Sequence, residues 1–368
     1  MTLLRRILWR VGWGAVGLLI VAFLIGYAAP YLPPAQFWWT DLVAVLLPPM
    51  GLTVVLVGGM VLGRGLYRRR WGRVAVAGIL LGLAALRFGP RLAGGGVSAN
   101  EAETLRLMTF NLPPSTVTDS ASGRALGRLV QQEAPDVLAL QESWLRTGRS
   151  VRAGLDGASR SIRGLLDETV GYALPRVYPL RTRIHRPVLG QIVLDSMTVH
   201  SLPPTGDTDP RSRYTRTYFT WQGHEVVLYN IHLHTVGMDP GEMWATEELF
   251  GQWRTVLRIY REGALRRAEQ ARIVRRHIEQ ETRPVLVVGD FNGTPHQWAY
   301  RHIATGLRGA GTGGTFPARR PLVRIDHILA GPAWKVVSAR VPTPDADMPI
   351  SDHRPVAVRL RWAADYSK

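Results

Sequence analysis

Residues 285–292 read VLVVGDFN: four apolar residues, a glycine, then a carboxylate and an amide around a phenylalanine. Val285, Leu286, Val287 and Val288 make an unbroken apolar run that suits a strand covered on both faces. Gly289 is expected to let the backbone leave the sheet where a side chain would crowd a ligand. Asp290 and Asn292 are two apart, so on extended backbone both point to one side. A carboxylate and an amide thus meet at the C-terminal end of a strand, where open α/β sheets bind ligands. An Asx turn that simply closes the strand would use the same residues. Whether other strand ends carry similar groups decides between a turn and a site.

They do. TLRLMTFN (104–111) reads as a strand ending in Asn111, and DVLALQES (136–143) as a buried strand ending in Gln141 and Glu142. Between them Ala125, Leu126, Leu129 and Val130 fall at helical spacing, which predicts an amphipathic helix over about 121–133, closed by Pro135. The three elements make a β-α-β unit. HEVVLYNIHLHT (224–235) is another strand, with Asn230, His232 and His234 on one face by the period of two. VRIDHILA (323–330) and SDHRPVAVRL (351–360) add Asp326, Asp352 and His353. The region between 150 and 220 offers only short strand-like pieces (191–200, 214–221) and a Pro-rich loop at 202–210, and a Gly-rich loop covers 306–314. Residues 241–280 are helical and rich in arginine, including Arg266, Arg267, Arg272, Arg275 and Arg276. They read as a solvated outer helix, with an anion-binding face as the alternative. Singly, Asn111 reads equally as a turn residue, Glu142 as a surface charge, His232 as a core histidine and Asp352 as a cap. Apolar strands that end repeatedly in carboxylate, amide and imidazole point instead to a site, because such groups are costly to bury without partners.

The N-terminal hundred residues have a different character. Residues 11–29 and 42–63 contain no charged side chain, and each is long enough to cross a hydrocarbon layer of roughly 30 Å as a helix. A third apolar run, 74–86, spans if it continues past Arg87 to Leu92. Pro48 and Pro49 are expected to kink the second span, which membranes tolerate. Trp38 and Trp39 beside it fit an interfacial aromatic belt. The expected organisation is a membrane anchor over 1–93 (spans at about 11–29, 42–63 and 74–92), a linker over 94–103 and a catalytic domain over 104–368. Arg5, Arg6 and Arg10 precede the first span and Arg64, Arg68, Arg69, Arg70 and Arg73 follow the second, whereas 30–41 has no Lys or Arg. The positive-inside rule places those basic segments in the cytoplasm and, with three crossings, the domain from about residue 95 outside the cell membrane. A cleaved signal peptide ending near Tyr27-Ala28-Ala29 would not change that side, because the 64–73 loop still fixes it. If the third run did not cross, the domain would lie inside.

The formal net charge is +17, and Lys335 and Lys368 are the only lysines. Residues 1–100 hold ten arginines against one acid, Asp41, a net of +9 that leaves +8 for the rest. A basic domain suits an anionic substrate or an anionic membrane surface. The chain has no cysteine, which excludes disulfides, thiolate metal sites and a cysteine nucleophile.

TFN (109–111), LQES (140–143), NIHLH (230–234), GDFN (289–292), RIDHIL (324–329) and SDHRPV (351–356) together resemble the endonuclease/exonuclease/phosphatase superfamily, the deoxyribonuclease-like fold. All six stand in the family's order and cover essentially all of 104–361. The resemblance implies an α/β fold, a four-layer α/β/β/α sandwich, carrying metal-dependent phosphoester hydrolysis. It also implies roles. Glu142 is the expected principal Mg²⁺ ligand, with Asn111 assisting, Asp352 nearby, and Mn²⁺ able to substitute. His353 is the expected general base, Asp326 the carboxylate that orients its ring. Asp290 and Asn292 position the water and the phosphoryl oxygens, and His232 binds a non-bridging oxygen or helps protonate the leaving group. His327 departs from the family, which often has an aromatic there, and is expected to bear on substrate more than on activity.

The substrate class stays open at this level. A basic domain suits a nucleic acid backbone, and nuclease is placed first. A membrane tether also fits a phospholipid or sphingomyelin-type headgroup or an inositol phosphate, and no protein partner is predicted. Specificity loops are expected within 144–215 and 236–265, where Trp144 and Trp244 could stack on bases or pack on the core. Two other classes compete with it: a non-catalytic membrane scaffold that keeps the fold, and a zinc hydrolase using His232, His234 and Asp290. The first would be favoured by loss of Glu142, Asp290 or His353, all of which are present. The second would leave Glu142, Asp326 and the Asp352–His353 pair without roles.

Overall fold

The computed structural model describes residues 3–89, 104–112, 120–142, 181–184, 192–201, 213–235, 253–311, 313–343 and 350–363. They fall into two compact units, one of N-terminal helices and one of strands and helices that follow.

The first unit contains α1 (Leu3–Ala28), a single 3-10 turn (Ala29–Tyr31), α2 (Pro34–Val45), α3 (Leu47–Tyr67) and α4 (Trp71–Phe88). Three segments, Trp9–Tyr31, Leu47–Tyr67 and Trp71–Phe88, are long and apolar enough to cross a membrane. Two boundaries differ from expectation. The second segment begins at Leu47, not at 42, because Val45 ends α2 and Leu46 leaves the helical region. Pro48 and Pro49 then stand in the first turn of α3, where no N–H bond is needed, so they start a helix here and do not kink one. The third segment reaches a usable length by starting at Trp71, ahead of the expected 74. Its 18 residues extend about 27 Å. Phe23, Leu47, Val54, Leu80 and Ala84 are buried together among α1, α3 and α4, while Leu18, Leu52, Met60 and Leu86 face outward.

The second unit is built on β1 (Thr104–Asn111), α5 (Ser120–Glu133), β2 (Val137–Gln141), β3 (Arg181–Ile184), β4 (Ile192–Ser201), β5 (Arg213–Trp221), β6 (His224–His232), α6 (Trp253–Glu279), β7 (Val285–Asp290), α7 (Trp298–Ile303), β8 (Arg308–Ala310), β9 (Asp326–Ala330), β10 (Trp334–Arg340) and β11 (Val356–Trp362). One sheet has the order β10-β11-β1-β2-β3 and the other β4-β5-β6-β7-β9-β8. Their inner faces close on one core: Leu105, Leu107, Val137, Ala139, Val358 and Leu360 from the first meet Phe219, Trp221, Leu228, Leu286, Val288 and Ile328 from the second. α5 covers the outer face of the first sheet, its Ala125, Leu126, Leu129 and Val130 packing with Met108, Phe110, Leu138 and Leu140. On the outer face of the second, the Tyr229 hydroxyl donates to the His277 carbonyl of α6 at 3.2 Å, and Ala264, Ala268, Ala271 and Val274 are buried. The result is the expected α/β/β/α sandwich.

Strand parity ties this core to the strand ends. Successive side chains alternate between faces, so the inner row of β1 runs Leu105, Leu107, Thr109, Asn111. The matching rows are Val137, Ala139, Gln141 in β2, Val226, Leu228, Asn230, His232 in β6, and Leu286, Val288, Asp290 in β7. In β9 the row runs the other way, from Ala330 through Ile328 to Asp326. Register places His232 beside Asp290 and Asp290 beside Asp326. Every row is apolar at one end and polar at the other, and the polar ends coincide.

Three expectations are corrected by packing. Gly289 has φ +130°, and a Cβ there would lie 1.9 Å from the Ile231 carbonyl oxygen. What a side chain would strike is therefore the neighbouring strand, not a ligand. Arg267 is buried, its guanidinium donating to the His234 carbonyl at 3.2 Å, so α6 is not solvated all along its arginines. His327 lies on the outer face of β9, buried against the rings of Phe291 and Tyr300 and bonded through Nε2 to the Gly293 carbonyl at 2.8 Å. It is a core residue one step out of phase with Asp326. The linker, most of the two expected specificity loops, Trp144 and Trp244 lie outside the described residues.

Candidate active site

The polar ends of the inner rows form one connected cluster. Asn111 Nδ2 donates to Asp290 Oδ2 at 3.0 Å and lies 3.4 Å from Glu142 Oε1. His232 Nε2 stands 3.5 Å from that Glu142 oxygen and 3.7 Å from Asp290 Oδ2. His353 Nδ1 bonds Asp326 Oδ2 at 2.9 Å, and its Nε2 is 4.0 Å from Asp290 Oδ2. Asp290 is thus the hub, touched by Asn111, His232 and His353 and almost wholly buried. Glu142 alone of this group is substantially open, at 28 % side-chain exposure. It also holds φ +51°, a left-handed conformation that costs a non-glycine residue about 1 kcal/mol and tends to persist at functional positions.

Burial decides the electrostatics. It pushes the Asp290 carboxyl up to about 6, with His353 opposing and Asp326 adding to the rise. For His353 burial works downward, but the carboxylates of Asp326 and Asp290 outweigh it and raise the imidazole to about 10. Without a cation beside them, these groups favour the proton on His353, an imidazolium held between two carboxylates.

Neighbouring groups fix this geometry. Ser351 Oγ donates to the Asn111 carbonyl at 2.7 Å and accepts the His353 N–H at 3.0 Å, joining the end of β1 to the histidine. Thr315 Oγ1 accepts the N–H groups of Ile325 and Asp326 at 3.1 and 3.2 Å, and its carbonyl accepts Arg354 N–H at 2.7 Å. The Phe316 ring lies 5.0 Å from that of His353. Below the cluster Gln141 Nε2 donates to Thr109 Oγ1 at 3.1 Å and to Asn230 Oδ1 at 2.7 Å, and Asn230 Nδ2 donates to the Leu140 carbonyl at 3.2 Å. These buried amides bridge the two sheets. Of these supports, Gln141 and Asn230 were visible as polar residues without a role, and Thr315 gave no signal outside its tertiary contacts.

Asn111, Glu142, His232, Asp290, Asp326 and His353 are therefore brought together. Asn292 and Asp352 stand at the margin. The Asn292 N–H donates to Asp290 Oδ1 at 2.7 Å with φ +46°, so the chain turns after Asp290 and the Asn292 amide reaches the Leu233 carbonyl at 2.9 Å. The Asx turn and the site coexist: one Asp290 oxygen closes the turn while the other faces the cluster. Asp352 is exposed, with Ser351 Oγ 3.4 Å from its carboxylate. His234 lies past the end of β6, its N–H donating to Gln270 of α6 at 2.7 Å.

Two overlapping donor sets suit a cation. Asp290, Asp326 and His353 offer ligand atoms within 4.8 Å of one another, the one such group among the described residues. Glu142 and Asn111 sit beside Asp290 at the open rim. Asp326 Oδ1 is buried without a hydrogen-bond partner among the described residues. A donor set dominated by carboxylates and an amide, with no thiolate, fits a hard divalent ion. The His232–His234–Asp290 set expected of a zinc site does not form such a group.

Comparison with known proteins identifies the family. The sequence model of the Endonuclease/Exonuclease/phosphatase family matches residues 108–353. Among solved structures, the chain is similar to an endonuclease/exonuclease/phosphatase from Bacteroides vulgatus, at 18% identity and TM-score 0.49, covering 71% of this chain and 99% of that one. It is also similar to a mannosyl-6-phosphatase from Bacteroides thetaiotaomicron, at 16% identity and TM-score 0.49, over 70% and 100% of the two chains. A third is TDP2 of D. rerio complexed with a single-strand DNA product, at 15% identity and TM-score 0.49, over 70% and 99%. No curated protein matches the chain.

Proposed function

Since the chain belongs to the endonuclease/exonuclease/phosphatase family, we propose that it is a membrane-tethered phosphoesterase dependent on a divalent metal ion. The observation that carries this reading is the convergence of Asn111, Glu142, His232, Asp290, Asp326 and His353 on one hub at one end of the sandwich. Such a cluster is matched to an anionic ester: it offers proton carriers, a cation site and donors within a few ångströms of one another.

Glu142 and Asn111 would hold the ion, which for an oxygen-rich set is Mg²⁺ or Mn²⁺. Bound there, it would supply positive charge that polarises a phosphoryl oxygen and weakens the carboxylates' hold on the His353 proton. Asp326 fixes the His353 ring through Nδ1, leaving Nε2 to face Asp290 and to take the proton of an attacking water. Asp290, anchored by Asn111 and by the Asn292 N–H, holds that water. His232 donates toward a non-bridging oxygen or the leaving group.

A phosphodiester of nucleic acid is the favoured substrate, supported by the basic charge of residues 101–368. The tether favours a second class, a lipid headgroup. Three apolar helices support membrane insertion, and the arginines before the first and after the second support a domain outside the cell membrane. The test is a panel on the full-length protein in detergent with Mg²⁺, Mn²⁺ or EDTA: single- and double-stranded DNA, RNA, sphingomyelin, phosphatidylinositol phosphates and an aryl phosphodiester. Metal-dependent cleavage of DNA or RNA is expected. Cleavage of lipid alone would move the substrate to the second class, and silence from a folded protein would overturn the enzymatic reading.

A further inference from the structure

The N-terminal unit contains an apolar cavity of about 190 Å³ between α1, α3 and α4. Leu19 and Ile20, Val54 and Val57, and Val76 and Leu80 contribute from the three helices in turn. Dry cavities of roughly 150 Å³ with such linings accept a benzene-sized molecule, so this one holds several methylene groups. One end is different. Arg73, near the start of α4, also lines the cavity, and its guanidinium lies 5.1 Å from the Trp13 ring centroid.

The charge of Arg73 has no answer within the anchor. Asp41 is the one acid in residues 1–100, and it lies in α2, before α3 begins, whereas Arg73 follows the end of α3. The 21 residues of α3 separate those two ends by about 30 Å. Arg64, Arg68, Arg69 and Arg70 add positive charge at the same turn. An apolar slot between helices, with a half-buried guanidinium at its end, has the chemistry of a molecule carrying a hydrocarbon chain and an anionic head.

We infer that this cavity is a binding site for one anionic phospholipid, its acyl chain between the helices and its phosphate on Arg73. The inference rests on the proposal that these helices span a membrane. Anionic lipids concentrate in the cytoplasmic leaflet, and basic pockets between spanning helices bind their headgroups. The arginine distribution assigns this end to that leaflet. The cation–π contact holds the guanidinium at the slot while leaving its N–H groups for the phosphate.

The test begins with alkaline carbonate extraction of membranes carrying the full-length chain. Retention in the membrane is expected, and release would overturn the spanning reading and the site with it. The protein is then purified in mild detergent, and bound lipid is counted by native mass spectrometry with phosphatidylglycerol or phosphatidylcholine of identical chains. One phosphatidylglycerol is expected to persist. Arg73→Gln should lower its retention about fivefold, as loss of one basic contact to a lipid surface predicts, while Arg73→Lys keeps most of it. Val57→Trp fills the slot and should abolish retention of both lipids. Equal retention of the two lipids by a membrane-retained protein, or an unchanged preference in Arg73→Gln, would overturn the site alone.

Discussion

Replacing Asp326 by Asn tests the proposed division of labour at its centre. His353 sits at about 10 because the carboxylates of Asp326 and Asp290 more than offset its burial. The gap from the ordinary imidazole value corresponds to roughly 5 kcal/mol in favour of the imidazolium. Asp326 is the larger contributor and makes the direct bond at 2.9 Å, against 4.0 Å for Asp290. Removing its charge should therefore forfeit a large part of that preference and bring the imidazole down toward its ordinary range. The amide still fits the space, but it can present either an oxygen or an NH₂ to Nδ1, so the ring loses its fixed tautomer. A proton carrier placed in the wrong tautomer costs about 10²–10⁴ in rate. The assay is hydrolysis of an aryl phosphodiester at saturating divalent ion from pH 5.5 to 10, with thermal melts to confirm folding. Activity within threefold of the parent and an unmoved pH profile, from a protein that melts normally, would refute the reasoning.

Other consequences follow from single contacts. Because the folded-state value of His353 is raised, its contribution to stability is fully present below about pH 6.5 and is lost as pH rises through about 10. Asp290, also raised, favours the fold below its ordinary value near 3.8 and ceases to do so by about 6. In EDTA, denaturant titrations should thus show a loss of a few kcal/mol between pH 7 and 9.5, and His353→Gln should flatten it. Glu142→Gln should weaken the apparent affinity for Mg²⁺ by about 10–100-fold while sparing the fold, read from the metal dependence of rate beside a melting curve. Gly289→Ala should destabilise by more than about 3 kcal/mol, because its Cβ would meet the Ile231 carbonyl at 1.9 Å; soluble yield and melting temperature check this. His327→Phe should cost about 1 kcal/mol for the bond to Gly293 and leave the ranking of substrates unchanged, since the ring lies on the outer face.

Much of the site was legible because strands expose their parity. Once TLRLMTFN is a strand whose Leu105 and Leu107 face the core, Asn111 faces the same way, and the same counting carries Leu286 to Asp290. Parity also places His327 opposite to Asp326, a step that proximity in sequence obscured. Contacts between distant segments were not legible. Nothing local in Gly289 names Ile231 as the obstacle, and nothing in Thr315 announces that it holds the N–H groups of Ile325 and Asp326. β3, β8 and β10 escaped for another reason: they are short or, like Trp334–Arg340, alternate weakly with much of their length exposed. The proline pair at 48–49 misled because its effect depends on where the preceding helix stops, which Leu46 settles.

The same rows explain how a charged cluster can be held rigidly inside a sandwich. An abrupt change from aliphatic core to carboxylates would strand buried charge against hydrocarbon, at a cost of several kcal/mol per group. In three rows the change is graded. Leu107, Ala139 and Leu228 give way to Thr109, Gln141 and Asn230, neutral groups that satisfy one another and a backbone carbonyl, whereas in β7 and β9 Val288 and Ile328 are followed directly by Asp290 and Asp326. Asn111 and His232 continue the β1 and β6 rows past Thr109 and Asn230, Asp290 lies level with His232 and Asp326, and Glu142, the residue after Gln141, meets solvent. The strands that carry the charged residues are thereby joined across the two sheets by the bond between Gln141 and Asn230. The hub Asp290 is the limiting case. Its register partners His232 and Asp326 are fixed by backbone pairing on both sides, and Asn111 reaches it from the opposing sheet. Its position therefore follows from how the two sheets pack, which makes packing deep in the sandwich a determinant of geometry at the rim.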